Sequence, residues 1–401
     1  MTRIVSVSTG RSDHGILTPV WAAIDGYPEL ELKVLFSGMQ VRDDASARAA
    51  LPAGIEVLTV GEDLGGGDGA GVNRAAAKIM AAAGEAFSIL KPDIVMVMGD
   101  RLDMFPVAVA CLSFNLPLAH LHGGEQTLGA IDDRIRHATT KLAHVHFPAT
   151  ADAASRINQM GEEAWRITIT GAPGLDALNA VPVMTAEQFA AAAGLKSANG
   201  LLLVTLHPET NSQNPSDIAE SMIGALKTTN APILFTTPNS DPGGKAVLNS
   251  IRGFVAERPN AVFRENLGTA LYANAMRHSA MMIGNSSSGL IEAPIFNLPV
   301  INIGSRQQGR LRGNNVIDVS ANTTEIAAAI ASVKDRAKPR GAGTSPYGDG
   351  HAAQRIAKTL AALPPRQRLL NKRIPEYATQ FTAPWETSRN LPDKLLKHEQ
   401  K

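Results

Sequence analysis

The sequence predicts an α/β protein of two domains, each built on a parallel sheet with helices on both faces. Three observations carry that expectation. The chain has 401 residues, which exceeds one ordinary core, since domains run to roughly 100–200 residues. Short β-branched apolar runs alternate with helical patterns, as repeated βα units do. Polar loops follow those runs in both halves, where open parallel sheets place their ligands. The chain divides into residues 1–198, residues 199–363 and a basic, Pro-containing tail, 364–401, with the main boundary at Ser197-Ala198-Asn199-Gly200.

The elements follow in order. Arg3 to Ser8 is a strand, TGRSDHG a loop, and Ile16, Leu17, Val20, Trp21 and Ile24 mark a helix face. Further strands fall at Glu31 to Gly38 and Gly54 to Val60. A long Ala-rich helix, Asn73 to Leu90, stops at Lys91-Pro92, and Asp93 to Asp100 is a buried strand. A helix at Pro106 to Phe114, a strand at Pro117 to Leu121, a helix at Asp133 to Ala143 and a strand at His144 to Phe147 complete the first half. A capped helix starts at Thr185. After the boundary the pattern restarts: GLLLVTLHPE, a helix from about Asp217, PILFTTPNSD, a helix from Gly244, AVFRE, a helix from Thr269, AMMIGNSSSG and PVINIG. No sequence repeat links the halves. GGGDGAG at Gly65 to Gly71 lacks the Lys-Ser/Thr of a phosphate-binding P-loop and reads as a connection.

Composition excludes several classes of function. Hydrophobic residues make up 44% and charged residues 19%, as in ordinary globular proteins. A formal charge of +1 gives no general pull toward nucleic acid or acidic membranes. With 4% aromatics there is no stacking platform for single strands. Cys111 is the single cysteine, set in an apolar run, and reads as core rather than nucleophile. There is neither a disulfide framework, nor a signal-peptide pattern, nor an apolar run of about 18 residues. A cytoplasmic protein is expected.

Seven polar loops follow apolar strands: TGRSDHG, MGDRLD, HLHGGE, LHPET, PNSD, IGNSSSG and NIGSR. Coming from both halves, they point to one site in an interdomain cleft. The turn Gly284-Asn285-Ser286-Ser287-Ser288-Gly289 offers hydroxyls and backbone N–H groups at a helix start, which suits a phosphate or diphosphate. A plain serine N-cap is the alternative. Glu292 would accept from ribose hydroxyls, Arg306 would add positive charge, and Arg11 and His207 are candidates for the diphosphate. The stretch from Gly99 to His137 gathers Asp100, Arg101, Asp103, His120, His122, Glu125, Asp132, Asp133 and Arg136. Carboxylates and imidazoles from several strand ends suit general acid/base chemistry; caps and loop staples are the competing reading. His120 and His122 would share one face of an extended strand, so a metal site is weighed and set below core packing.

The ordered motifs GDR-x-D, HGGE, IDD-x-IRH-x-x-TK-x-AH, LHP, PN-x-D, IGNSS-x-G-x-x-E and PVIN-x-G-x-R resemble the hydrolysing UDP-N-acetylglucosamine 2-epimerases of sialic-acid and legionaminic-acid biosynthesis, over about residues 3 to 362. The resemblance implies two Rossmann-like domains in a glycosyltransferase-B-like arrangement, with the nucleotide held mainly by the C-terminal half. It implies loss of the C2 proton and UDP to a 2-acetamidoglucal, then hydration to the 2-epimeric sugar. By motif, nucleotide-site positions fall on Arg11, Arg101, His207, Asn239, Ser286, Ser287, Glu292 and Arg306, and catalytic positions on Asp100 and Asp132. A carboxylate of animal members stands here as His122, leaving the acid/base work to that imidazole or to Glu125. Ile16 stands where some members carry a lysine. The resemblance implies a UDP-sugar substrate, UDP or GDP linkage being open, no required cofactor and a homodimer or homotetramer. The same reaction on a 2,4-diacetamido-trideoxyhexose nucleotide, a glycosyltransferase and a catalytically dead nucleotide-sugar sensor are its rivals.

Overall fold

The computed structural model describes residues 1–42, 48, 51–64, 68–126, 131–208, 217–238, 243–334 and 345–374, except the side chains of residues 11 and 12. The first sheet contains β1 (Thr2–Ser8), β2 (Leu30–Phe36), β3 (Glu56–Thr59), β4 (Ile94–Met98), β5 (Leu118–Leu121) and β6 (Val145–Phe147). The second contains β7 (Leu202–Thr205), β8 (Ile233–Thr236), β9 (Ala261–Arg264), β10 (Met281–Gly284), β11 (Val300–Ile303) and β12 (Val316–Val319). All pairings within both sheets are parallel. The spatial orders are β3-β2-β1-β4-β5-β6 and β12-β11-β10-β7-β8-β9. Read from opposite edges these are one topology, the doubly wound order with a switch point between its first and fourth strands. Ile4 pairs with Ile94 at one switch point and Gly284 with Thr205 at the other.

The helices are α1 (Arg11–Asp25), α2 (Gly69–Leu90), α3 (Phe105–Ser113), α4 (Ile131–Leu142), α5 (Ala151–Gln159), α6 (Gly174–Asn179), α7 (Ala186–Ala193), α8 (Asp217–Leu226), α9 (Gly244–Glu257), α10 (Gly268–His278), α11 (Ser288–Ile291), α12 (Thr323–Lys334), α13 (Ala352–Ala361) and α14 (Arg366–Leu370). Among the described residues, no helix is long and apolar enough to cross a membrane. The loop expected at TGRSDHG shrinks to Thr9–Gly10, because Asp13 accepts from the backbone N–H of Thr9 (2.8 Å) and Gly10 (3.1 Å) and starts α1 at Arg11. Residues 65–67 of the glycine run lie outside the described residues; Asp68 caps α2 through Gly71 N at 2.8 Å. Cys111 is buried in α3 as expected, its thiol pushed up to about 12 by burial.

Packing departs from the division by chain order. Ala172, Leu175, Leu178, Phe189 and Leu195, taken from sequence as first-domain residues, share a core with Leu203, Leu234 and Met282 of the second sheet. Conversely, Ile356, Ala357 and Leu360 of α13 and Leu369 of α14 return to the first sheet, against Leu17, Trp21 and Ile24 of α1. The physical reason is amphipathic: Ala353, Ile356, Ala357 and Leu360 form one stripe at helical spacing. Burying each of its two large members is worth about 1.5–3 kcal/mol. Asp176 of α6 caps α13 by accepting from Ala352 N (3.0 Å) and Ala353 N (2.8 Å).

The segment expected to begin a solvated tail is therefore held down as far as Arg373, whose N–H donates to Glu163. Buried Arg166 donates to the carbonyls of Leu369 (2.8 Å) and Asn371 (3.0 Å). Lys372 reaches Glu162 at 2.8 Å, where Lys141 (2.6 Å) and His146 (3.1 Å) also meet the buried carboxylate. Burial alone would raise Glu162, but its three partners hold it down at about 2. Residues 375–401 lie outside the described residues.

Candidate active site

The carboxyl ends of both sheets meet across a cleft of about 780 Å³. Gly15 and Ile16 of α1 and Gly174 of α6 form one wall; His207, Thr236, Tyr272, Ser286 and Glu292 belong to the other. The second wall is built by a close approach of strands. Gly284 has φ +138°, and a Cβ there would lie 1.9 Å from the Thr205 carbonyl oxygen, so glycine is required where β10 meets β7. Buried Asn285 then joins the two strand-end loops, accepting from His207 N (2.7 Å) and donating to His207 O (2.9 Å). Gln307 Nε2 donates to Asn285 O at 2.9 Å and ties in the turn after β11. This stitching fixes Ser286, whose Oγ is 3.1 Å from Ser288 Oγ, which in turn lies 2.5 Å from Tyr272 OH. Burial pushes the Glu292 carboxyl up to about 7. The helix start expected behind the serines is short. α11 is a single turn followed by a 3₁₀ turn, Ala293–Phe296, so hydroxyls and N–H groups, not a macrodipole, make this surface fit for an anion.

The other chemistry sits at the first sheet. After β5 the chain turns sharply, His122 at φ +58° and Gly124 at φ +77°. A Cβ on Gly124 would lie 2.3 Å from Ala153 O, so this glycine lets the loop rest on α5. The turn brings His122 Nδ1 to 2.8 Å from Glu125 Oε1. Burial favours the neutral acid of Glu125, yet His122, Arg136 and Arg310 hold its pKa below the ordinary value. With Glu125 ionised, Nδ1 carries the proton, and Nε2, buried and without a hydrogen-bond partner among the described residues, is the atom left for substrate. Buried Arg136 of α4 ion-pairs with Asp100 and donates to Glu125 O at 3.0 Å. Burial raises Asp100; Arg136 opposes that, while the charges of Asp132 and Glu125 add to it. Asp132, on the first turn of α4, belongs to the same field.

The structure thus brings Asp100, His122, Glu125 and Asp132 together, and His207, Ser286 and Glu292 together. Other candidates fall elsewhere. Arg101 donates to buried Asp103 through Nε (3.1 Å) and Nη2 (3.0 Å), and its guanidinium lies against Gly10 just before α1. Arg306 is exposed on the turn after β11 and outside the cleft lining; Gln307 and Arg310 are the members of that turn that face inward. Ser287 starts the α11 turn, with its carbonyl accepting from Leu290 N and Ile291 N. The Arg11 side chain and Asn239 lie outside the described residues. His120 does not share a face with His122. It is buried in β5, bonded to Gly99 O (2.8 Å) and Thr140 Oγ1 (3.2 Å), and burial lowers its pKa to about 3. Asn285, Gln307 and Tyr272 escaped the sequence reading as positioning groups. Arg136, gathered in the sequence with the acid/base candidates, stands i, i+4 from Asp132 on α4, which places the two on one helix face.

Residues 22–361 match the family model described as UDP-N-acetylglucosamine 2-epimerase. A hydrolysing UDP-N,N'-diacetylbacillosamine 2-epimerase of Legionella pneumophila is 32% identical over 383 residues, covering 92% of this chain and 98% of that protein. A hydrolysing GDP/UDP-N,N'-diacetylbacillosamine 2-epimerase of Campylobacter jejuni is 39% identical over 246 residues, covering 61% of this chain and 64% of that protein. The solved UDP-GlcNAc 2-epimerase of Neisseria meningitidis, bound to UDP-GlcNAc, matches with TM-score 0.73 at 18% identity, covering 90% of this chain and all of that one. At that identity the likeness establishes the fold: two Rossmann-like domains in a glycosyltransferase-B-like arrangement.

Proposed function

The chain belongs to the UDP-N-acetylglucosamine 2-epimerase family, and from that premise we propose that it is a hydrolysing epimerase that converts UDP-N-acetylglucosamine and water to UDP and N-acetylmannosamine, serving sialic-type acid synthesis. The observation that supports this reading is the clustering of Asp100, His122, Glu125 and Asp132 beyond the carboxyl end of the first sheet, together with a cleft lined by Thr236, Tyr272, Ser286 and Glu292 of the second half. The reaction needs both. A base takes the C2 proton while the C1–O bond breaks and its electron pair leaves with UDP, forming the C1=C2 bond of 2-acetamidoglucal. Water then delivers hydroxyl to C1, and a proton returns to C2 on the opposite face. Inversion therefore needs proton carriers on two sides of C2. The His122 imidazole after β5, the Asp100 carboxylate after β4 and the Asp132 carboxylate on the first turn of α4 supply them, with Glu125 orienting His122 and Arg136 holding Asp100. His207, Ser286 and Glu292 grip the nucleotide.

In heavy water the expected product is N-acetylmannosamine carrying deuterium at C2, released with one UDP. UDP release without deuterium at C2 would overturn the mechanism. A second reading, the same reaction on a nucleotide-linked 2,4-diacetamido-trideoxyhexose, is supported by the names of the Legionella and Campylobacter relatives. Parallel assays with both sugar nucleotides, read as kcat/KM for nucleotide release, separate the two.

A further inference from the structure

Beneath the proton-transfer cluster lies a buried side chain to which the reaction above gives no part. His120, the third residue of β5, is fully buried, and its two ring nitrogens join two elements of the site. Nε2 lies 2.8 Å from the carbonyl oxygen of Gly99, the residue before Asp100, and Nδ1 lies 3.2 Å from Thr140 Oγ1 on α4. A carbonyl only accepts, so Nε2 carries the proton and Nδ1 accepts from the threonine hydroxyl. Burial lowers the imidazole to about 3, which keeps this one tautomer neutral.

Both partners lead to reacting groups. Thr140 stands one helical turn beyond Arg136, at i+4, and the two are buried on one face of α4. Arg136 takes the Asp100 carboxylate, while Thr140, through His120, takes the carbonyl of the Gly99–Asp100 peptide. Helix and loop are thus joined at two points, one on the backbone and one on the side chain of the same residue pair. Gly99, at φ +71°, also donates its N–H to Leu121 O at 2.9 Å, which pins the loop on its strand side. The turn after β5 rests on the same link. A Cβ on Gly123 would lie 2.9 Å from His120 Nδ1 and 3.0 Å from Thr140 Oγ1, so glycine lets the chain between His122 and Glu125 pass directly over it.

We propose that His120 is a positioning residue for proton transfer: bridging Thr140 and the Gly99 carbonyl, it holds the Asp100 carboxylate in register with Arg136. The proposal rests on the epimerase reading above and adds to it an uncharged support that itself neither gives nor takes a proton. A residue serving only the stability of β5 would have no bearing on how Asp100 titrates.

Three variants test it. His120→Gln keeps an N–H donor at the reach of Nε2, His120→Asn keeps only the Nδ1 side, and Thr140→Val removes the hydroxyl at nearly constant shape. For each, kcat for UDP release and the UDP Kd from calorimetry are measured, together with an NMR titration of the Asp100 carboxyl carbon, assigned through Asp100→Asn. Burial raises Asp100, Arg136 opposes it, and the charges of Asp132 and Glu125 add to the rise, so a carboxylate that slips from Arg136 titrates higher. His120→Asn and Thr140→Val should move the Asp100 midpoint up by about one pH unit and lower kcat by about tenfold to 10²-fold, with UDP affinity retained. His120→Gln should restore both. Thr140→Val, the milder change, decides should His120→Asn not fold. An Asp100 midpoint unmoved by the loss of either contact, or equal losses in His120→Gln and His120→Asn, overturns the proposal. Absence of UDP release from the wild-type protein would count against the reaction alone, because the Asp100 titration still decides the link.

Discussion

The strand-end loops of the two sheets occupy equivalent places in one topology and carry opposite chemistry. At the first sheet they hold Asp100, Arg101, Asp103, His122, Glu125 and Arg136, charged groups engaged with one another at hydrogen-bond distance. At the second they present Thr236, Tyr272, Asn285, Ser286 and Ser288, neutral groups stitched by short hydrogen bonds, beside a Glu292 whose burial weakens its charge near neutrality. Topology sets where a site forms, and side chains set what it does there. A network of paired charges moves protons; a wall of hydroxyls and amides holds a ligand in place.

The sharpest way to break this comparison is Asp100→Asn. It should lower kcat by about 10²–10⁴-fold, the range for a lost acid/base group, and leave UDP affinity by calorimetry unchanged. An equal loss of affinity would show that the first sheet also grips the nucleotide. Next in size is Glu162→Gln, which strips the shared carboxylate from Lys141, Lys372 and His146 and should cost about 3 kcal/mol, the low end for a broken buried pair, because Lys141 is 44% exposed. Urea unfolding followed by tryptophan fluorescence reads it, since Trp21 and Trp165 both lie in the first domain. The sign with pH is fixed. Glu162 is held at about 2 against 4.5, so its contribution is complete above pH 4.5 and is lost as pH falls from there toward 2. In Glu162→Gln that part of the acid transition should be missing.

Glu292→Gln tests the second wall. It should weaken UDP by roughly tenfold, as loss of a hydrogen bond to a charged group does, with kcat less affected. Burial pushes the carboxyl up to about 7, so on the proposed role, in which the ionised carboxylate accepts from ribose hydroxyls, wild-type affinity should rise through pH 7 relative to that of the variant. Arg136→Gln is the finest probe. Removing the cation that opposes burial at Asp100 should move the acidic limb of kcat/KM upward by about one pH unit, and Arg136→Lys should restore it. An unmoved limb would take Asp100 out of the titration that governs turnover.

Much of the fold was legible because its signals are local. Apolar runs such as Ile94–Met98 and the stop at Lys91-Pro92 fix elements without reference to anything distant. Pairing is not local, so the shared strand order of the two sheets stayed hidden. The same holds for α13: its stripe of Ala353, Ile356, Ala357 and Leu360 announces a buried face but does not say which sheet it covers. At the site, the motifs located the right loops, yet individual side chains were settled by neighbours. Arg101 meets Asp103, two residues on, and Gln307, one residue past Arg306, is the side chain that ties this turn to Asn285. Pro294 was a readable warning that the helix behind the serines would be short.

The return of residues 352–371 to the first sheet also bears on how the chain is made. Domains commonly fold as units in the order they are synthesised, but here the first sheet to be translated lacks Ile356, Leu360 and Leu369 from its core until nearly the whole chain has been made. The core of the second sheet, complete once residues 149–347 are translated, is the earlier unit to close. The first sheet is thus finished only after the second, so a truncated chain retains an intact second sheet and an unfinished first one.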